Sequence, residues 1–360
     1  MERLSRLDGL RGVLAVYVML GHAGPYTDLP GWILAPLHHG EAAVDVFFAL
    51  SGMVVINSLE RFDGAAAPFL AARVWRLLPV YLFALGLAVA LLFTGSPLPA
   101  TPWVAPDSNA GLFWALGLPA QFGWHLAAHV LLLQGVIPQG ALPWAYITLL
   151  GPAWSLSTEW QFYVFAPPAM RFCKGRVSLA VLLLGMAVFY RAVVPWLPGW
   201  WQFSRAFLPD AAGFFALGLV SSVWLRDGRI WPLAVVFLVV CLLGVAAGEV
   251  VKVVTPLVWV VALAAQRFGG PWGVPWLLDT PAAQFLGAVS YPLYLLNAPL
   301  QRAAAMVVAP LVHGNELVFT IVWLPLAVVG PVLAAWVVHR AVERPLMHGW
   351  HHQRVRAATV

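Results

Sequence analysis

Apolar residues in this chain run in long blocks, broken by short polar stretches, glycine and proline. Blocks of about twenty apolar residues are the length that carries an α-helix across a bilayer. Ten can be read, at residues 8–24, 42–60, 74–95, 145–171, 177–194, 207–225, 231–248, 251–267, 283–309 and 317–341. Exposed strand edges and irregular backbone are not tolerated against lipid, so the spanning parts are expected to be helices. The expected fold is all-α, a polytopic membrane protein with about ten transmembrane helices. Residues 1–345 form one integral membrane domain, and 346–360 a basic cytoplasmic tail.

Segment 96–144 breaks the pattern. It contains no Lys or Arg and opens on the Pro-rich GSPLPATPWVAPDSN. Its later part is apolar but interrupted by Pro119 and Gly123. We read it as an external loop with interfacial or re-entrant helices across 111–137. A pair of extra spans there would leave the topology elsewhere unchanged, so charge counting does not separate the two.

Composition agrees with the pattern. The chain is 61% hydrophobic and 10% charged, with a mean hydropathy of +0.83, outside the range of soluble domains. The net charge of +5 is spread over short loops, not gathered in a patch, so nucleic acid is not an expected partner and the lipid bilayer is. With the N-terminus inside, sixteen of the twenty basic residues fall on the cytoplasmic side, leaving Arg191, Arg205, Lys252 and Arg302 opposite. That asymmetry puts both termini in the cytoplasm. Cys173 and Cys241 are too separated in the topology to pair, and no metal-type spacing is present, so no metal site is expected. The basic start resembles a signal peptide but lacks an A-x-A site, and we read it as a retained first helix.

Chemistry concentrates in a few polar residues inside apolar blocks. Arg11 and His22 are eleven residues apart, which puts them about 20° from a shared helix face and about 16 Å apart along it. An ionisable group that deep is a functional-site hypothesis by default. Glu159 is about 21 Å into the fourth block and Asn297 at a similar depth in the ninth. His22, Glu159 and Asn297 are therefore expected to meet, with the imidazole as general base and the carboxylate orienting it. Arg11, Arg73 and Arg76 stand where a phosphate-bearing ligand would arrive from the cytosol. Asp8, Asp45, Ser51 and Ser155 complete a supporting polar site. Plainer readings exist for several of these. Arg73 and Arg76 also fit surface anchors, Asp8 a partner or cap near Arg11, Asp45 a structural contact, and Ser51-Gly52 close helix packing. Nothing ties Ser51 or Ser155 to a base as a nucleophile. His125 and His129 share a helix face without an evident third metal ligand.

Five stretches, LDGLRGVLAVYVMLGH, GEAAVDVFFALSGMVV, RVWRLLPVY, WSLSTEWQFYVFAP and SYPLYLLNAP, together resemble the acyltransferase-3 family of integral membrane acyltransferases. The match runs from Leu7 to the Glu343–Pro345 ERP. The Arg-x10-His pattern falls on Arg11 and His22, the FFxLSG-type motif on Phe47–Gly52, Arg-x-x-Arg on Arg73 and Arg76, and WSL…E on Trp154–Glu159. One departure is Asn297, where family members commonly carry His. The resemblance implies a bacterial inner-membrane enzyme that moves an acyl group, most often acetyl, from cytosolic acyl-CoA to a hydroxyl of a carbohydrate or lipid-linked glycan. No bound cofactor is implied, because acyl-CoA is a co-substrate. His22 would serve as general base or as acyl carrier, and Glu159 would share the catalytic site. The competing class is a proton-coupled transporter or flippase using the same His and Glu as a relay. A membrane scaffold would leave that pair without a purpose.

Overall fold

A computed structural model describes residues 4–270 and 273–347. In chain order the helices are α1 (Ser5–Ala23), α2 (Gly31–Leu37), α3 (Gly40–Glu60), α4 (Ala66–Leu92), α5 (Asn109–Ala115), α6 (Phe122–Val130) and α7 (Trp154–Phe172). They continue with α8 (Arg176–Val193), α9 (Leu208–Asp227), α10 (Trp231–Ala246), α11 (Val250–Phe268), α12 (Val274–Asp279), α13 (Pro281–Leu311) and α14 (Glu316–Val338). Among the described residues there is no strand. Each of the ten expected spans corresponds to one helix. Six helical stretches, including α3, α4, α8, α9, α11 and α14, are long and apolar enough to cross a membrane by composition alone. Helix α10 is apolar but short. The remaining three, α1, α7 and α13, are diluted by the polar residues that form the site below.

Two boundaries differ from the sequence reading. Helix α4 begins at Ala66, so Arg73 and Arg76 lie two turns inside it. Helix α7 begins at Trp154, and 145–153 is a run of turns. That run is apolar because protein buries it: Ala145, Leu149, Leu150 and Ala153 are at most 4% exposed. The 111–137 stretch holds only α5 and α6, of seven and nine residues, far short of a span. This loop is pinned to the bundle. Tyr26 stacks on Trp114 with centroids 3.6 Å apart, and Arg302 donates to the carbonyls of Gly95 at 2.7 Å and Leu116 at 3.0 Å. Of the expected 346–360 tail, 346–347 continue a helical turn; 348–360, with Arg354 and Arg356, lie outside the described residues, as does Arg3.

Helices α3 and α9 form the buried centre, with α1 and α13 packed side by side against it. Helices α8, α10, α11 and α14 turn exposed apolar side chains outward, among them Val181, Leu238, Val261 and Ile321. Outward apolar surface of this extent fits lipid contact. The N-termini of α1, α4 and α13 gather at one end of the bundle, called the N-terminal end below.

Small residues set the closest approaches, as is usual where apolar burial does not distinguish helix from lipid. A Cβ added at Gly52 would overlap the carbonyl of Phe215, and one at Gly218 the carbonyl of Ala49. The FFALSG stretch is thus a packing seam between α3 and α9. Gly52→Ala is expected to lower stability by roughly 1–3 kcal/mol through overpacking. Gly86→Ala, with nothing within 4 Å of its added methyl, should be neutral or stabilising. Thermal unfolding of both variants in detergent checks the contrast.

Candidate active site

A cavity of about 140 Å³ opens at the N-terminal end between α1, α3, α4, α7 and α13. Three guanidiniums line it: Arg11 from α1 and Arg73 and Arg76 from α4. Arg73 is 6% exposed and lies between the rings of Phe69 and Tyr163, 5.4 and 5.2 Å from their centroids. Its Nε is buried without a hydrogen-bond partner. A surface anchor would extend its head to water; Arg73 does not. Arg11 and Arg76 make no hydrogen bond or ion pair with another described residue. Asp8 lines the same mouth.

Deeper in, the Glu159 carboxylate accepts from Ser51 Oγ at 2.6 Å and from the Tyr163 hydroxyl. Tyr163 follows Glu159 by four residues and so shares its helix face. Ser155 and Tyr294 hydrogen-bond at 2.8 Å, and both line the inner part of the cavity. Asn297 is three residues beyond Tyr294 on α13, about 4.5 Å further along the axis. There His22 Nδ1 lies 2.6 Å from Asn297 Oδ1.

The Asn297 amide fixes the His22 tautomer. Its Nδ2 donates to the carbonyls of Leu293 at 3.1 Å and Tyr294 at 2.7 Å, so Oδ1 is the end presented to the imidazole. An amide oxygen only accepts, so Nδ1 must carry the proton. Nε2 is left with its lone pair free, the form a general base requires. Asparagine thus orients the imidazole here without exchanging a proton with it.

The structure brings the expected residues together in two groups instead of one. Asp8, Arg11, Ser51, Arg73, Arg76, Ser155 and Glu159 line the cavity. His22 and Asn297 pair one turn beyond it. The expected pairing of Glu159 with His22 is not formed, because Ser51 and Tyr163 hold the carboxylate and Asn297 holds the imidazole. The depth estimate assumed that the fourth span starts at 145; with α7 starting at Trp154, Glu159 is only five residues from its end. Asp45 lies apart, at the opposite end of the bundle. Tyr163 and Tyr294 were missed by sequence reasoning, although i, i+4 spacing to Glu159 and i, i+3 spacing to Asn297 mark them. His125 and His129 are buried in α6. His129 Nε2 is 2.8 Å from the Ala145 carbonyl, and burial pushes its pKa down to about 4. Among the described residues no group of three metal-ligating side chains forms.

The family profile described as an acyltransferase domain matches residues 4–340. The chain belongs to the acyltransferase-3 family. The acyltransferase-3 match covers every helix named above. Among curated relatives, the chain is 34% identical over 173 residues to "Protein 2 in picA locus" of Rhizobium radiobacter, covering 44% of this chain and 78% of that protein. It is 28% identical to the exopolysaccharide production protein ExoZ of Rhizobium meliloti, over 55% of this chain and 56% of that one. It is 25% identical to acyltransferase MdmB of Streptomyces mycarofaciens, over 96% and 92%. No solved structure matches the chain.

Glu159 satisfies two buried hydroxyls at once, and Ser51 and Tyr163 are 8% and 2% exposed. Leaving such groups unpaired costs about 1–3 kcal/mol each. Glu159→Ala is therefore expected to unfold at lower temperature than Glu159→Gln, which keeps an acceptor oxygen. Equal unfolding temperatures for the two would mean the hydroxyls find other partners.

Proposed function

We propose that this protein is a membrane O-acyltransferase that moves an acyl group, preferably acetyl, from cytosolic acyl-CoA to a hydroxyl of a carbohydrate acceptor. It would work in the bacterial inner membrane with both termini in the cytoplasm. The observation that carries this reading is the set of three arginines around one cavity, none hydrogen-bonded to a described residue. Guanidinium groups in that state call for an anion with several oxygens, and the phosphates of CoA supply them. The name of the exopolysaccharide production protein supports a polysaccharide acceptor, and the family supports the acyl chemistry.

On this reading the phosphates bind Arg11, Arg73 and Arg76, and the pantetheine arm follows the α1 face inward. The ~16 Å rise from Arg11 to His22 is within reach of an extended arm. The thioester arrives near Ser155 and Tyr294, whose hydroxyls are candidate donors to the carbonyl oxygen as charge develops there. His22 Nε2 takes the acceptor proton while the acceptor oxygen bonds to the carbonyl carbon. The tetrahedral intermediate then expels the CoA thiolate, which takes the proton from the imidazolium. Product ester and free CoA balance the reaction, and Asn297 keeps Nε2 aimed throughout.

The test is calorimetric titration of CoA together with transfer of label from acetyl-CoA. Arg11→Ala should weaken CoA binding by about 1.5–3 kcal/mol, the scale of a charge-assisted hydrogen bond, and Arg11→Lys should retain part of it. An unchanged dissociation constant for Arg11→Ala removes Arg11 from the donor site. His22→Ala should bind CoA as the parent does and transfer nothing. Normal transfer by a folded His22→Ala protein ends the mechanism.

A further inference from the structure

A second cavity of about 530 Å³ opens at the other end of the bundle, between the starts of α3, α9 and α11 and the end of α8. Most of its charges are already matched. Arg191 bridges Asp210 at 3.0 Å and Glu249 at 3.2 Å. Lys252 bridges the same two at 3.3 and 3.1 Å, and Arg205 pairs with Glu41. Asp45 is different. It lines this cavity, is 8% exposed, and makes no hydrogen bond or ion pair with another described residue. A buried carboxylate without partners is costly, and two accepting oxygens facing a cavity call for donors from a ligand. Trp154 and Phe203 also line it; the Arg205 guanidinium lies 5.9 Å from the Trp154 ring centroid, and one face of Phe203 is stacked on Phe207.

The position of this cavity relates it to the first. Helix α3 presents Asp45 and Phe48 to the second cavity, and Phe47, Leu50 and Ser51 to the first. Helix α7 presents Trp154 to the second and Ser155 to the first. Neighbouring residues of α3 and of α7 thus line the two cavities from different faces of the same helices. Ser155 is bonded to Tyr294, one turn from the Asn297 that holds His22. On the acyltransferase reading, a hydroxyl that passes Trp154 would approach Ser155 and Tyr294.

We propose that the second cavity is the acceptor site and takes one sugar unit, with a hydroxyl pair donating to Asp45 and the ring face lying on Trp154. This rests on the acyltransferase reading. A free anion is disfavoured by the unpaired carboxylate. A divalent metal is disfavoured because the other carboxylates are already held by Arg and Lys. A neutral polyol with one apolar face fits both the hydrogen-bonding and the aromatic wall.

The experiment uses the full-length protein in a detergent without a sugar head group. Ser204→Cys at the rim, in a Cys173→Ala/Cys241→Ala background, reports the cavity through its rate of maleimide labelling. The probes are methyl glycosides of glucose, galactose and mannose. At least one should slow labelling fivefold or more, and Asp45→Ala should raise the concentration needed at least tenfold. Trp154→Leu, on the opposite wall, should do the same, which keeps the test open if one variant folds poorly. Removing an unpaired buried carboxylate should also leave the unfolding temperature of Asp45→Asn equal or higher, whereas a structural role predicts a fall. No protection by any glycoside, or protection unaltered in both variants, overturns the proposal. A CoA titration on the same sample separates the two readings. CoA binding with an unprotected Cys at 204 defeats the acceptor site alone, and protection without CoA binding defeats the donor reading alone.

Discussion

The structure depends on the close contact between α1 and α13. These helices run side by side in the same direction, and glycine makes it possible. A side chain at Gly12 would strike the backbone of Gly287 and one at Gly287 the carbonyl of Asp8, while one at Gly9 would strike the Leu278 carbonyl of the preceding α12. Polar side chains then cross the interface. Gln284 donates to the carbonyl of Ser5 at 2.7 Å and Gln301 to that of Met19 at 3.0 Å. In a bilayer interior these groups have no water to fall back on, so the contact is held at both ends of the register. Within that register His22 hydrogen-bonds Asn297 of α13. A shift of one turn would break the His22–Asn297 hydrogen bond and leave the amide held only by the Leu293 and Tyr294 carbonyls of its own helix.

Charge inside the bundle follows the same economy of partners. Arg176 at the N-terminal end is fully engaged, by Glu60 at 2.9 and 2.5 Å and by Ser222 at 2.8 Å. It reads as a structural cation. Arg73, on the neighbouring stretch of the bundle, has aromatic rings for walls and an orphan Nε. The contrast within one protein argues that the fold is able to satisfy a buried guanidinium and has not done so around the cavity. Half-satisfied polar clusters cost stability, and they are tolerated where a ligand completes them. Glu159 makes no ion pair with these arginines; its Oε1 is shared between the hydroxyls of Ser51 and Tyr163.

The spans were legible in the sequence because about twenty apolar residues have one solution in lipid. The start of α7 was not. AYITLLGPA is as apolar as a span, but it is buried by protein, with His129 Nε2 against Ala145, and apolarity alone does not say which solvent it avoids. The motif residues were legible as a set. Their partners were not, because hydrogen bonds between helices depend on axial register, and a nine-residue error at the start of α7 moves Glu159 by about 14 Å. Asn297 was visible as a departure from the family pattern. What it does there required the two carbonyls that fix its amide, and both come from the local turn of α13.

The two cavities clarify why the imidazole lines neither. A thioester held beside a free base and open water would hydrolyse, so an enzyme of this kind gains by keeping donor and base apart until the acceptor is present. Here the Ser155–Tyr294 hydrogen bond lies at the inner part of the first cavity, on the side of Asn297 and His22, and Trp154 lines the second cavity next to Ser155 in the first. Trp154 and Ser155 are neighbouring residues at the first turn of α7. That turn follows the 3₁₀ turn at Gly151–Ala153, at the N-terminus of α7 where the first N–H groups have no α-helical partner. On the proposed reading, an acceptor that displaces the Trp154 ring acts on Ser155 directly. Loss of the Ser155–Tyr294 bond then frees the Tyr294 hydroxyl where the carbonyl oxygen needs a donor, while Ser155 keeps the Pro152 carbonyl as a partner at 3.3 Å. Acceptor binding, donor access and exposure of the base are in this way linked through one turn of helix, without any movement of the α1–α13 contact that holds His22.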